Sequence, residues 1–324
     1  GARCEVPPAQ SAADGGDTAS AVVGTLLAVA VVAAALWQRR LAVASRAAFD
    51  FGAEVARLKA SGELAEPDVH GAEEPLVPRE IAREDVTLIT ELGSGNFGDV
   101  WKAVLDESRR RGVGGGAPGY LVAAKSVKAD APASESEALL REAAVMAQVP
   151  AHPNLVSIVG TVTRGHPKLL LVSFCDGGTL LEAAAGPLGG AALCATAGSH
   201  IARGMSHLTA RRFVHRDLAA RNVLMAAGPV FRVADFGLSR AISAGEGGEY
   251  YRSAAGVFPV RWTAPEAIES GKYTTASDVW SFGITMVEAY QRGARPYPDL
   301  GTAAVAAAVM GGHRHPRPAE CPAA

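Results

Sequence analysis

The sequence predicts an α+β fold preceded by a single membrane-spanning helix, and three observations carry that reading. Residues 86–127 hold three short runs of strand character, the chain beyond them turns to helical spacing, and residues 19–37 contain no charge. The 324 residues are enough for one large domain or two small ones. With 31 basic against 33 acidic residues the chain has no field for holding nucleic acid, and none is expected as a partner. Cys4, Cys175, Cys194 and Cys321 show no CxxC spacing, which argues against a zinc site or a disulfide framework. The last three read as reduced cytosolic thiols.

Residues 1–18 are small and polar and form a disordered extracellular remnant in this reading. The uncharged run Ala19 to Trp37 is close to the ~20 residues a helix needs to cross a bilayer. Trp37 stands at its end as an interfacial aromatic, and Arg39, Arg40 and Arg46 follow, so the chain beyond residue 40 is expected in the cytosol. A signal peptide would carry positive charge ahead of the apolar run, where Asp14 and Asp17 stand instead.

Residues 38–80 are read as juxtamembrane. Positions 41–60 have helical spacing, with Phe51, Val55 and Leu58 on one face, and 61–80 is a linker broken by Gly62, Pro67, Gly71, Pro75 and Pro78. A compact domain is expected over 81–324. Val86, Leu88, Thr90 and Leu92 alternate as in a strand, and 100–105 and 120–127 continue the pattern. Residues 112–119 are a glycine-rich surface loop, and Thr302 to Met310 is helical.

Several motifs bear chemistry. Gly93-Ser94-Gly95-Asn96-Phe97-Gly98-Asp99-Val100 is glycine-rich, which lets backbone approach phosphates closely. It leads into a strand rather than a helix, which separates it from dinucleotide-binding loops. Lys125 ends the apolar strand Val122-Ala123-Ala124, where a cation needs a partner. Glu142, in a helical run whose apolar side is marked by Leu139, Met146 and Val149, is the expected one. His215-Arg216-Asp217-Leu218-Ala219-Ala220-Arg221-Asn222 is followed by Asp235-Phe236-Gly237 and then by Ala264-Pro265-Glu266. Phosphoryl transfer needs a base at the acceptor hydroxyl (Asp217), oxygen ligands for Mg2+ (Asn222 and Asp235) and a cation on the α/β-phosphates of ATP (Lys125).

In these motifs the chain resembles the eukaryotic protein kinases over residues 81–322, and specifically receptor-type tyrosine kinases. Ala219 stands where serine/threonine kinases carry a lysine, and the run from Phe258 to Glu266 is similar to the tyrosine-kinase substrate loop. Residues 262–268 are most similar to Eph-receptor and Src-like kinases. The resemblance implies a bilobal protein-kinase fold: a small antiparallel sheet with one helix, then a mainly helical lobe, with ATP between. It implies that Leu92 and the loop from Gly93 to Gly98 cover the nucleotide, Val100 and Ala123 roof the adenine, and Leu224 floors it. The Ser173 carbonyl and Cys175 amide bond the adenine, with Val172 as a small gatekeeper. Arg221 joins the catalytic group, His215, Phe236, Met146 and Ile158 stack between the lobes, and Asp278 braces the catalytic loop. Tyr250 and Tyr251 are autophosphorylation sites whose phosphates pair with Arg216. Self-association and tyrosine-bearing protein substrates are the implied partners.

The chain opens on Gly1 and stops at Ala324, and it reads as a fragment lacking the last helices of the family's second lobe. The resemblance implies that those helices supply an arginine for Glu266, and a carboxylate left without it would be costly if desolvated. A pseudokinase or docking module is the alternative, but Lys125, Glu142, Asp217, Asn222 and Asp235 are all present. A serine/threonine or dual-specificity enzyme is disfavoured by Ala219 and Pro259.

Overall fold

A computed structural model describes residues 49–61, 64, 76–95, 98–108, 118–128, 131–235, 240–241, 251–252 and 259–321. The expected membrane helix over 19–37, most of the 112–119 loop, and Asn96, Phe97, Phe236 and Tyr250 lie outside those residues. Among the described residues no helix is long and apolar enough to cross a membrane.

The residues from Phe49 onward form one compact unit. Its first half is a five-stranded antiparallel sheet of order β1-β2-β3-β5-β4. The strands are β1 (Val86–Gly95), β2 (Gly98–Leu105), β3 (Tyr120–Ser126), β4 (Ile158–Val162) and β5 (Leu169–Ser173). Alternation puts Ala103, Leu105, Val122, Ala124, Leu169 and Leu171 on one face, where they pack with Ile81 into a buried cluster. Two helices belong to this half, α1 (Phe51–Ala60) and α2 (Ala133–Ala147).

The second half is mainly helical: α3 (Leu180–Ala185), α4 (Ala191–Ala210), α5 (Pro265–Ser270), α6 (Thr275–Tyr290) and α7 (Thr302–Met310). Short ladders join them. β6 (Phe213–Val214) pairs with β9 (Arg240–Ala241), β7 (Val223–Ala226) with β8 (Val230–Val233), and β10 (Tyr251–Arg252) with β11 (Lys272–Tyr273). Helix starts follow local chemistry. Thr179 caps α3 in a reciprocal box with Glu182, and Thr274 caps α6 with Ser277. α5 opens on Pro265 and closes on the left-handed Gly271.

Of the helical stretch expected over 41–60, residues 41–48 lie outside the described residues, and Phe51–Ala60 is helix, capped by Asp50, which accepts the Ala53 amide at 2.9 Å. One expectation needs correction. The stretch 61–80 is not wholly a linker. Leu64 is buried, Glu80 bridges Thr161 of β4, and the Thr161 amide donates to the Arg79 carbonyl at 2.8 Å.

Candidate active site

The glycine-rich loop turns from β1 into β2, with Gly95 opposite Gly98. Its glycines serve different ends. Gly98 has φ +109°, and a Cβ there would lie 2.0 Å from the Ser126 carbonyl, so the hairpin itself requires glycine. A Cβ at Gly93 would meet no protein atom within 4 Å, which leaves the backbone open to an approaching phosphate. Ser94 donates to Asp99 at 2.7 Å across the turn.

Lys125 on β3 donates to both oxygens of Glu142 on α2, at 3.0 and 2.8 Å, and lies 3.6 Å from Asp235. Burial by itself would lower its pKa, but the two carboxylates outweigh that and raise it, so the ammonium is retained. The expected pair is closed in this structure.

The catalytic loop is held from below. Asp278 on α6 accepts the His215 amide at 2.8 Å and the Arg216 amide at 3.0 Å, as the resemblance implied. Burial raises the Asp278 pKa, with these bonds and the nearby cations opposing. Arg216 takes φ +74°, a strained value for a side-chain-bearing residue, and its own amide is one of the two that Asp278 accepts. The His215 ring bonds the Ala234 carbonyl at 3.0 Å, tying the loop to the strand that delivers Asp235.

Asp217 meets Arg221, whose guanidinium donates to one carboxylate oxygen, and Asn222, whose amide donates to the other at 2.9 Å and to the Asp217 carbonyl at 2.7 Å. Burial lifts the Asp217 pKa above the ordinary aspartate range. Arg221 and His215 oppose the lift and Asp235 adds to it. The Asn222 side-chain N–H2 is spent on Asp217, so its amide oxygen remains the acceptor. The Ala234 amide donates to the Asn222 carbonyl at 2.8 Å, and Asp235 follows directly with φ +64°. One amide oxygen and one carboxylate suit a magnesium ion that takes its other ligands from phosphates and water. The donor set therefore fits Mg2+.

At the position expected to meet adenine, the Ser173 hydroxyl accepts the Ser157 amide at 3.1 Å and the Ser173 amide donates to the Ser157 carbonyl at 2.9 Å. The serine thus ties the β4–β5 junction. Leu224 bridges Thr179, just past Gly177, whose amide bonds the Met225 carbonyl at 2.8 Å. That places the expected floor residue beside the segment carrying Val172, Ser173 and Cys175. Val100 and Ala123 lie on the adjacent strands β2 and β3. Met146 and Ile158 meet in the main core.

Arg216 is buried with its guanidinium 4.6 Å over the Tyr273 ring, and Tyr273 is the strand partner of Tyr251. Glu266 is exposed, so the cost of a buried lone carboxylate does not arise.

Three residues at the site escaped the sequence reading. Glu288 is buried on α6 and accepts the Ala220 amide at 2.9 Å and the Trp262 indole at 2.7 Å. Trp262 in turn lies 4.6 Å beneath the Arg221 guanidinium. Arg261 is buried and donates to the carbonyls of Pro296 and Tyr297 at 2.7 Å and of Leu300 at 2.5 Å. A glutamate inside the apolar run Ile284 to Ala289 was the one available signal.

Residues 86–324 match the family model for protein tyrosine and serine/threonine kinases. Ephrin type-B receptor 3 of Xenopus laevis is 39% identical over 249 residues, covering 76% of this chain and 25% of that protein. Ephrin type-B receptor 1 of Gallus gallus is 39% identical over 253 residues, with the same coverage. Tyrosine-protein kinase Abl of Drosophila melanogaster is 38% identical over 256 residues, 76% of this chain and 15% of that protein. The chain thus spans about a quarter or less of these curated relatives.

Proposed function

The chain belongs to the protein tyrosine and serine/threonine kinase family and carries a protein tyrosine kinase domain, and on that premise we propose that it transfers the γ-phosphoryl group of ATP to tyrosine hydroxyls of proteins. The observation that carries the reading is the paired set of Lys125 with Glu142 and Asp235 beside Asp217 with Arg221 and Asn222. Lys125 holds the α/β-phosphates from β3 while the glycine loop covers them. Asn222 and Asp235 would hold Mg2+, which would supply positive charge against the phosphates. Asp217 accepts the proton of the tyrosine hydroxyl as that oxygen bonds the γ-phosphorus and the bond to ADP breaks. Arg221 and Asn222 keep the Asp217 carboxylate aimed at the acceptor. Support for tyrosine over serine comes from Ala219, Pro259 and the names of the relatives.

In this reading residues 19–37 anchor the kinase to a membrane by a single span, with 38–80 juxtamembrane and 81–324 catalytic on the cytosolic side. The support is the uncharged run followed by arginines, and the receptor names of the relatives. Tyr250 and Tyr251 are phosphorylated between associated copies, a role supported by their place between Asp235 and Glu266.

The test is transfer of labelled phosphate from Mg-ATP to a Glu/Tyr copolymer and to a matched Ser/Thr peptide, with Asp217→Asn as control. Tyrosine labelling that falls about 10²–10⁴-fold in the variant supports the assignment. Labelling of the Ser/Thr peptide alone, or of neither while ATP still raises the melting temperature, overturns it.

A further inference from the structure

Two lysines, Lys102 and Lys125, share one face of the sheet, and phosphoryl transfer uses only the second. Ala103, Val122, Ala124 and Leu171 point into the buried cluster of the first half, so their strand neighbours point the other way. On that other face Val100 stands opposite Lys125. Lys102, Ala123 and Val172 form one cross-strand row over β2, β3 and β5. Lys102 therefore shares the face of Val100 and Ala123, the residues expected to roof the adenine, and lies further along β2 from the glycine loop.

Lys102 is half-buried, and among the described residues no carboxylate forms an ion pair with it. Its ammonium lies 5.2 Å over the ring of Phe174, which is half-buried too. A cation in that place is attracted by the negative face of the ring, and the lysine stem covers apolar surface on the way. Phe174 is the first residue past β5 and stands between Ser173 and Cys175, whose main chain is expected to bond the adenine. The β3–β5 ladder ends at the Val122–Ser173 pair, so Phe174 is outside it. Three residues beyond Phe174, the Gly177 amide bonds the Met225 carbonyl of β7, next to the expected floor residue Leu224. β3 separates β2 from β5 in the sheet. The Lys102–Phe174 contact thus crosses over β3 and ties the roof strand directly to the segment that runs on to the floor.

We propose that Lys102 is a positioning residue for the nucleotide: its ammonium on Phe174 holds the β2 roof down over the adenine ring of ATP or ADP. The proposal rests on the kinase reading and adds a residue to its nucleotide site.

The test uses the full chain and reads the affinity for Mg-ADP by calorimetry. Lys102→Met keeps the stem and removes the charge. It is expected to weaken ADP binding about two- to fivefold, the span of a partly exposed cation–π contact. Phe174→Leu is expected to do the same. The double variant is expected to bind no more weakly than either single one, because both changes remove one contact. Lys102→Arg and Phe174→Tyr keep a cation over a ring and are expected to hold the affinity. KM for a Glu/Tyr copolymer should stay put in all four single variants, which a general loosening of the fold would not spare. Unweakened ADP binding by Lys102→Met overturns the proposal. So do losses that multiply in the double variant, which would place Lys102 on the nucleotide itself, and a Lys102→Arg chain as weak as Lys102→Met. If the wild-type chain binds no ADP, the kinase reading falls and this role of Lys102 falls with it.

Discussion

Glu288 takes the indole N–H of Trp262 on the same carboxylate oxygen, Oε2, that takes the Ala220 amide. One oxygen thus joins α6 to the catalytic loop and to the substrate-loop segment. Burial raises the Glu288 pKa, since water is excluded from the charge, while these bonds oppose the rise.

This geometry separates two substitutions. Glu288→Gln keeps an oxygen that can accept both bonds and removes a charge that burial disfavours. Its denaturation midpoint is expected to stay near wild type. Glu288→Ala strands two buried donors at about 1–3 kcal/mol each. It is expected to lower stability by at least about 2 kcal/mol, measured by urea unfolding.

Arg221 sets where Asp217 titrates. Asp217 must be ionised to accept a proton, so kcat/KM falls as pH drops through its pKa. Burial has already lifted that pKa, and Arg221 is the largest influence pulling it down. Arg221→Met removes the pull. The acid limb of the pH–rate profile is expected to move to higher pH, and an unmoved limb would sink the assignment of Asp217 as base.

Asp278 accepts two adjacent amides with separate oxygens. Asp278→Asn keeps one acceptor and turns an N–H2 toward the other amide, leaving a buried donor unmatched. A loss of roughly 1–3 kcal/mol is expected in chemical denaturation. The kcat should fall with it, because the backbone entering the left-handed Arg216 is held by these two bonds. Retained stability with normal kcat would show that the loop is held by other means.

The parts of this site legible in the sequence are those written as contiguous motifs or anchored to one. Asp217, Arg221 and Asn222 lie within six consecutive residues, and Lys125 follows an apolar run where a cation needs a counterion. The Glu288 partners stand 26 and 68 residues away, and nothing local in the sequence joins them. The face Phe51, Val55, Leu58 was legible as buried, but periodicity does not say what a helix buries against.

The glycine loop offers a prediction in which folding and ligand binding separate. At Gly98 the backbone is left-handed and the space for a Cβ is taken by the Ser126 main chain. Gly98→Ala must shift β2 against β3, and a stability loss of more than about 1 kcal/mol is expected. At Gly93 the protein offers a Cβ nothing to strike. Gly93→Ala should unfold within about 0.5 kcal/mol of wild type, as an unconstrained surface change does. Its KM for ATP should nonetheless rise about tenfold, since a methyl group now stands where the phosphates approach the backbone. Thermal unfolding without nucleotide and steady-state kinetics with it measure the two effects apart. If Gly93→Ala leaves KM unchanged, the phosphates do not approach at that position.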